Sequence, residues 1–164
     1  MYSSSLIDTS TSLLAACRAR GLKLATAESC TGGLIAGCLT EIAGSSDVVD
    51  RGFVTYSNGA KIELLGVPAG LIESPGAVSE PVARAMAEGA LARSDADLAV
   101  AVTGIAGPGG AVPGKPVGTV WLATAGPDGT RAERLHFAGD RDAVRARTVA
   151  TALQRLTQRA VAGA

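Results

Sequence analysis

The stretch that most constrains the fold is an almost continuous apolar run at residues 98–102, Leu-Ala-Val-Ala-Val, between Asp97 and Thr103. A strand with one solvated face alternates apolar and polar residues, whereas a strand covered on both faces is apolar throughout. The run therefore predicts a strand in the middle of a sheet that has helices on its faces.

Helical and strand patterns alternate along the first half of the chain, and two strands follow one another near its end. Together they predict an α/β fold in three layers, with a mixed, mainly parallel sheet flanked by helices. No linker or repeat interrupts residues 1–164, so we expect a single domain. The predicted strands are residues 22–26, 52–57, 97–103, 117–125 and 131–138, and the predicted helices are residues 5–20, 34–42, 60–65, 79–90 and 140–160.

The composition argues against some classes of partner. Fifteen basic residues balance fifteen acidic ones, which is unlike the basic surface of a nucleic-acid-binding protein. The sequence has neither a leader-like amino terminus nor a membrane-length apolar stretch, and its three cysteines fit a reducing cytosol. We therefore expect a cytoplasmic domain with no nucleic-acid or membrane partner. Few aromatic residues and many Ala and Gly residues predict close packing through small side chains.

A turn after the first predicted strand carries Ser29, Cys30 and Thr31, followed by Gly32 and Gly33. A strand-to-helix turn points unpaired N–H groups outward, and glycine lets a ligand approach the backbone closely. We therefore interpret Ser29 as a nucleophile. The alternative is that Ser29 or Thr31 caps the following helix, because both side chains can accept a bond from an early helical N–H.

A serine nucleophile requires a base, and the sequence offers two candidates. His136, the one histidine, alternates with Leu135 and Phe137 and is predicted to lie on the exposed face of a strand. Lys61 is the better candidate, because a lysine in a dry pocket loses part of its preference for the charged form. A solvated surface lysine is the alternative. Glu28, beside the nucleophile, could orient a backbone or substrate group or pair with an arginine.

A second glycine-rich segment, residues 104–110, follows the central strand and is interpreted as a ligand loop or as a plain surface connection. Its glycines do not have the dinucleotide-binding spacing. Residues 109–115 match half of a P-loop, but Lys115 is followed by Pro116 and a predicted strand, which excludes that motif. No group of His, Cys, Asp and Glu has zinc-ligand spacing, so the sequence predicts no metal.

Several ungapped blocks follow one another along nearly the whole chain. They are AESCTGG at 27–33, VTYSN at 54–58, GAVS at 76–79, TGIAGPGG at 103–110 and KPVGTV at 115–120. Together these blocks resemble the CinA C-terminal domain family, whose enzymatic members are nicotinamide mononucleotide deamidases. Where the family's glycine loop often continues with another Gly, this chain has Ala111.

The resemblance implies that Ser29 and Lys61 hydrolyse an amide, with Tyr56 nearby. In this hypothesis Lys61 accepts the serine proton, the serine attacks the carboxamide of nicotinamide mononucleotide, and ammonia and nicotinate mononucleotide are released without a cofactor. N–H groups of residues 30–33 would stabilise the oxyanion, and residues 104–110 with Arg141 or Arg145 would hold the phosphate. The predicted substrate-binding residues are Glu28, Cys30, Thr31, Gly32, Gly33, Thr103, Gly104, Gly107, Gly109, Gly110, Arg141 and Arg145.

The resemblance also implies a homodimer whose partner is a small nucleotide substrate. Two other functions remain open at this point. A non-catalytic nucleotide-binding or regulatory module would keep the pocket without turnover, because a fold does not establish an activity. A competence-related interaction domain would instead present an exposed apolar patch to a protein partner.

Overall fold

The computed structural model describes residues 1–162, which form one five-stranded sheet with helices on both faces. The strands are β1 (Leu24–Glu28), β2 (Val49–Val54), β3 (Leu98–Gly104), β4 (Thr119–Gly126) and β5 (Gly129–His136). The helices are α1 (Ser4–Arg20), α2 (Leu34–Thr40), α3 (Asn58–Leu65), α4 (Ala69–Glu73), α5 (Glu80–Ala92) and α6 (Arg141–Ala162), with a short 3₁₀ turn at Ser45–Asp47.

The order of the strands across the sheet is β2-β1-β3-β4-β5. Strands β1, β2 and β3 are parallel, and β4 and β5 continue the sheet as an antiparallel hairpin. Consequently β1, β2, β3 and β5 all end at the same edge of the sheet. Loops at the carboxyl ends of parallel strands are the usual place for a ligand site in such a fold.

The two faces of the sheet differ in side-chain size. One face carries Leu and Val side chains and packs against α1, α2 and α6. The other face is built from alanines such as Ala27, Ala101 and Ala123, so α5 packs closely against it. This arrangement confirms the predicted three-layer α/β fold and the predicted packing through small side chains. None of the helices in residues 1–162 is long and apolar enough to cross a membrane.

Some predicted boundaries are wrong by two or three residues. β1 was expected at residues 22–26 but runs from Leu24 to Glu28, so Glu28 belongs to the strand. The predicted strand at residues 52–57 begins and ends earlier, at Val49–Val54. Helix α3 begins at Asn58 because the Ser57 hydroxyl accepts a hydrogen bond from the backbone N–H of Ala60 at 3.0 Å. The short helix α4 was not predicted.

Candidate active site

Ser29 stands directly after β1, where the central pairing of the sheet ends. Its backbone N–H donates to the carbonyl of Val102 at 3.1 Å, which extends the β1–β3 pairing by one residue. On the other side, the carbonyl of Glu28 accepts from the N–H of Thr55 at 2.9 Å. Ser29 is thus held between two neighbouring chain segments, and its side chain lines a pocket at this edge of the sheet.

Lys61 reaches the same pocket from α3. Its side chain is only 1% exposed, and its Nζ lies 3.0 Å from Ser29 Oγ. The same nitrogen donates to the carbonyls of Thr55 at 2.9 Å and Tyr56 at 3.4 Å. Burial lowers the pKa of Lys61 below its usual 10.5. The surface-lysine alternative is therefore wrong for this residue.

The three contacts of Lys61 Nζ fit a proton acceptor. A neutral amine has two N–H bonds and one lone pair, and two backbone carbonyls are present to accept the two hydrogens. The lone pair can then face the Ser29 hydroxyl, which donates its proton to it. Because burial lowers the pKa of Lys61, this neutral form is reached at a lower pH than for an exposed lysine, and the arrangement fits activation of a serine by a lysine base.

Glu28 holds the turn that contains Ser29. Its carboxylate is fully buried and accepts from the N–H groups of Ile35 at 2.8 Å and Ala36 at 3.0 Å in the first turn of α2. The hydroxyl of Thr31 donates to the same carboxylate at 2.6 Å. The carboxylate therefore caps α2, and the interpretation of Ser29 or Thr31 as the cap is wrong. Of the roles considered for Glu28, the hydrogen bonds support that of orienting the backbone.

Cys30 is not a competing nucleophile. Its side chain lines the pocket, but burial raises the pKa of the thiol to about 12. A thiol becomes nucleophilic as the thiolate, and at this pKa the thiolate is scarce near neutral pH. Of the side chains of the turn, Ser29 is the one that has a lysine nitrogen at hydrogen-bond distance.

The pocket has a volume of about 280 Å³, and its lining includes both polar groups and small apolar side chains. Four of its residues, Asn58, Ala77, Val78 and Ala106, were not predicted as site residues, although each lies in a sequence block that carried the family resemblance. The residues that line it are Ser29, Cys30, Tyr56, Asn58, Lys61, Ala77, Val78, Thr103, Gly104, Ala106 and Arg141.

Tyr56 and Arg141 lie at the exposed mouth of the pocket. Tyr56 is 62% exposed, and its hydroxyl is 3.3 Å from Arg141 Nη2. Arg141 Nη1 donates to the carbonyl of Gly107 at 2.9 Å, which fixes the second glycine segment beside the mouth. Arg141 can occupy this position because it opens α6, directly after β5 ends at the same edge of the sheet.

Arg145 is placed differently from Arg141. It donates from Nε to the carbonyl of Cys30 at 3.2 Å and from Nη2 to the carbonyl of Thr31 at 3.3 Å, so it supports the nucleophile turn from outside the pocket. Of the predicted substrate-binding residues, Cys30, Thr103, Gly104 and Arg141 line the pocket. Those outside its lining are Glu28, Thr31, Gly32, Gly33, Gly107, Gly109, Gly110 and Arg145.

Other sequence expectations concern groups away from the pocket. His136 is exposed at the end of β5, as predicted. A strand, β4, follows the half-match to a P-loop, in agreement with the exclusion of that motif. Within residues 1–162 there is no cluster of three or more His, Cys, Asp or Glu side chains that could hold a metal ion.

Comparison with known families and structures gives one consistent result. The model of the CinA C-terminal domain matches residues 7–160. CinA-like proteins of Mycolicibacterium vanbaalenii and Akkermansia muciniphila are 59% and 57% identical over 146 and 143 residues, each alignment covering 87% of this chain. The chain spans only 34% and 33% of the length of these two relatives.

Solved structures match over more than nine-tenths of their length. The competence/damage inducible protein CihA from Agrobacterium tumefaciens is 50% identical with a TM-score of 0.93, and the match covers 95% of this chain and 96% of that one. A CinA superfamily protein from Escherichia coli is 39% identical with a TM-score of 0.91, covering 96% of this chain and 92% of that one.

Proposed function

Because the chain belongs to the CinA C-terminal domain family, we propose that it is an amidohydrolase that converts nicotinamide mononucleotide to nicotinate mononucleotide and ammonia. The observation that carries this proposal is the buried pair of Ser29 and Lys61, with Oγ and Nζ 3.0 Å apart. A buried lysine with a lowered pKa, at hydrogen-bond distance from a serine in a pocket, matches the requirements of nucleophilic catalysis.

The reaction proceeds through an acyl-enzyme. Lys61 Nζ takes the proton of the Ser29 hydroxyl while Oγ forms a bond to the carboxamide carbon. The tetrahedral intermediate collapses, the C–N bond breaks, and the leaving nitrogen takes the proton from Lys61 to depart as ammonia. Water then attacks the ester carbon and gives a proton to Lys61. That proton returns to Ser29 Oγ as the acid is released.

The oxyanion of the tetrahedral intermediate requires N–H donors near Ser29. The N–H of Gly32 already donates to the carbonyl of Ser29 at 3.1 Å, which leaves those of Cys30 and Thr31 as the donors nearest in sequence. A donor of this kind is typically worth about 3 kcal/mol in the transition state. Arg145 supports this assignment, because its bonds to the Cys30 and Thr31 carbonyls hold the peptide groups of the turn.

The charge of the pocket supports an anionic substrate. When Lys61 is neutral, the pocket lining still contains the cation Arg141 and, among the described residues, neither Asp nor Glu. Since Arg141 lies at the mouth and Arg145 is engaged behind the turn, we assign the phosphate to Arg141. The small side chains of Ala77, Val78 and Ala106 leave room for a flat ring between the mouth and Ser29.

The experiment that tests this proposal is to measure ammonia and nicotinate mononucleotide formed from nicotinamide mononucleotide. Wild type, Ser29→Ala and Lys61→Ala are compared, with Lys23→Ala as a control at an exposed lysine outside the pocket. We expect turnover in the wild type and the control only, with circular dichroism unchanged. Binding of the nucleotide without product in the wild type would contradict the proposal and favour a regulatory module.

The predicted homodimer is tested by light scattering on the purified chain. A mass of twice the 16.3 kDa of the chain is the expected result. A mass equal to one chain would contradict it. This measurement is independent of the activity assay, so either prediction can fail alone.

A further inference from the structure

One wall of the pocket, residues 75–79, has neither helical nor strand structure and lies between α4 and α5. Ala77 and Val78 of this segment face the pocket. Side chains hold three consecutive carbonyls of the wall. The Pro75 carbonyl accepts from Lys115 Nζ at 2.9 Å, that of Gly76 from Ser79 Oγ at 2.6 Å, and that of Ala77 from Thr103 Oγ1 at 2.9 Å.

Of these donors, Lys115 is the one that comes from the connection between two strands. It lies in the connection between β3 and β4, which also contributes Ala106 to the pocket. Two backbone hydrogen bonds between Val112 and Lys115, at 3.2 and 2.9 Å, close a tight turn and fix the backbone of the lysine. The lysine side chain therefore joins two walls of one pocket.

The geometry around Gly76 favours a lysine at this position. Gly76 has a φ of +110°, and a Cβ atom built on it would lie 3.4 Å from Lys115 Nζ. The ammonium group thus occupies space beside a residue without a side chain. An ammonium can bind the single Pro75 carbonyl as a point charge, whereas a planar guanidinium is suited to bidentate partners. The chain has twelve arginines and three lysines, so the use of lysine here is unusual for it.

We infer that Lys115 is a positioning residue that fixes the spacing between the 75–79 wall and the β3–β4 connection, and so keeps the pocket in the shape that binds the substrate. This inference rests on the proposed amidase function. Thr103 is 1% exposed and anchors the wall at Ala77, so loss of Lys115 frees only the rim at Pro75. Ser29 directly follows β1 and Lys61 lies in α3, outside both tethered segments. The step they catalyse therefore remains intact.

The kinetic test compares Lys115→Met with wild type, with Lys115→Arg as the charge-preserving variant and Lys23→Met as the matched control. In Lys115→Met we expect KM for nicotinamide mononucleotide to rise about 10-fold, because substrate binding must then order the loosened rim, and kcat to stay within about twofold. Lys115→Arg recovers part of the lost affinity, and Lys23→Met behaves as wild type. An unchanged KM, or a fall in kcat alone, would overturn the assignment.

A second measurement separates this inference from the proposed function. Hydrogen exchange of residues 74–79 is followed in the same variants without substrate. The N–H of Gly76, which donates to the Leu71 carbonyl at 3.1 Å, is expected to exchange faster in Lys115→Met and not in Lys23→Met. Equal exchange in both variants means that the tether does not hold the wall. If wild type lacks deamidase activity but exchange changes as expected, the proposed function fails while the tether stands.

Discussion

The nucleophile side of the pocket and its mouth are held by the chain in different ways. Ser29 and Lys61 are 8% and 1% exposed, and both are bonded to groups at the ends of neighbouring strands. At the mouth, Tyr56 is 62% exposed and is joined to Arg141 by one contact of 3.3 Å. The buried side is therefore organised before substrate arrives, and the mouth keeps donors that a substrate can use. Changes on the first side should alter kcat, and changes at the mouth should alter KM.

The largest expected effect is the contrast between Ser29→Ala and Cys30→Ala, neighbours on the buried side. Ser29→Ala removes the attacking oxygen, and kcat should fall by at least about 10³-fold. Cys30→Ala removes a protonated thiol, and kcat should stay within about fivefold. Steady-state kinetics of both purified variants checks this. A deep loss in Cys30→Ala with activity retained in Ser29→Ala would exchange the roles of the two side chains.

The next largest effect concerns the proposed base, Lys61, and the pH dependence of kcat/KM. Because burial lowers the pKa of Lys61 below 10.5, the neutral amine becomes available at lower pH than for an exposed lysine. The kcat/KM of the wild type should rise with pH through this lowered pKa and level off before pH 10.5. Lys61→Arg keeps a cation at every working pH, so its kcat should be about 10²- to 10⁴-fold lower than that of the wild type. Its kcat/KM should also lack the rise with pH. A wild-type profile that is flat down to pH 5 would contradict a lysine base.

A smaller effect separates the two arginines of α6. Arg141→Ala removes a donor at the mouth, so KM should rise about 10-fold with kcat nearly constant. Arg145→Ala removes two bonds to the carbonyls of the nucleophile turn, so kcat should fall more than KM changes. Both variants keep the length of α6, and circular dichroism serves as the common control. If both alter KM alone, the division of the pocket into two sides is wrong.

The sequence predicts the buried side of the pocket better than the mouth. Ser29 follows a predicted strand, and Lys61 lies in a short predicted helix after another strand. The carboxyl ends of such strands meet at one edge of an α/β sheet. The choice between Arg141 and Arg145 could not be predicted, because residues four apart lie on the same face of a helix. Which of them reaches the pocket depends on how α6 packs against the sheet.

The role of Glu28 shows a second limit of sequence reasoning. Because the predicted end of β1 is wrong by two residues, the sequence places Glu28 in the turn, where a carboxylate could orient a substrate group. In the structure its partners are backbone N–H groups of α2, seven and eight residues further along the chain. Such a pairing depends on the path of the turn between strand and helix. That path depends on tertiary packing and on the positive φ angles of glycines, so residue type alone does not predict it.

The smallest effect concerns stability at the junction of the two sides. Thr55 is fully buried, and its Oγ1 is the one buried side-chain oxygen or nitrogen in residues 1–162 without a hydrogen-bond partner. Its backbone is already bonded within the site, since its N–H donates to the Glu28 carbonyl and its carbonyl accepts from Lys61.

Thr55→Val keeps these bonds and removes the unpaired hydroxyl, whose burial costs about 1–3 kcal/mol. We expect the free energy of unfolding in urea to rise by up to about 1 kcal/mol, after packing adjustments, with kcat unchanged. Thr55→Ser, which keeps the hydroxyl, should not gain stability, and a destabilised Thr55→Val would mean that the hydroxyl is paired in solution.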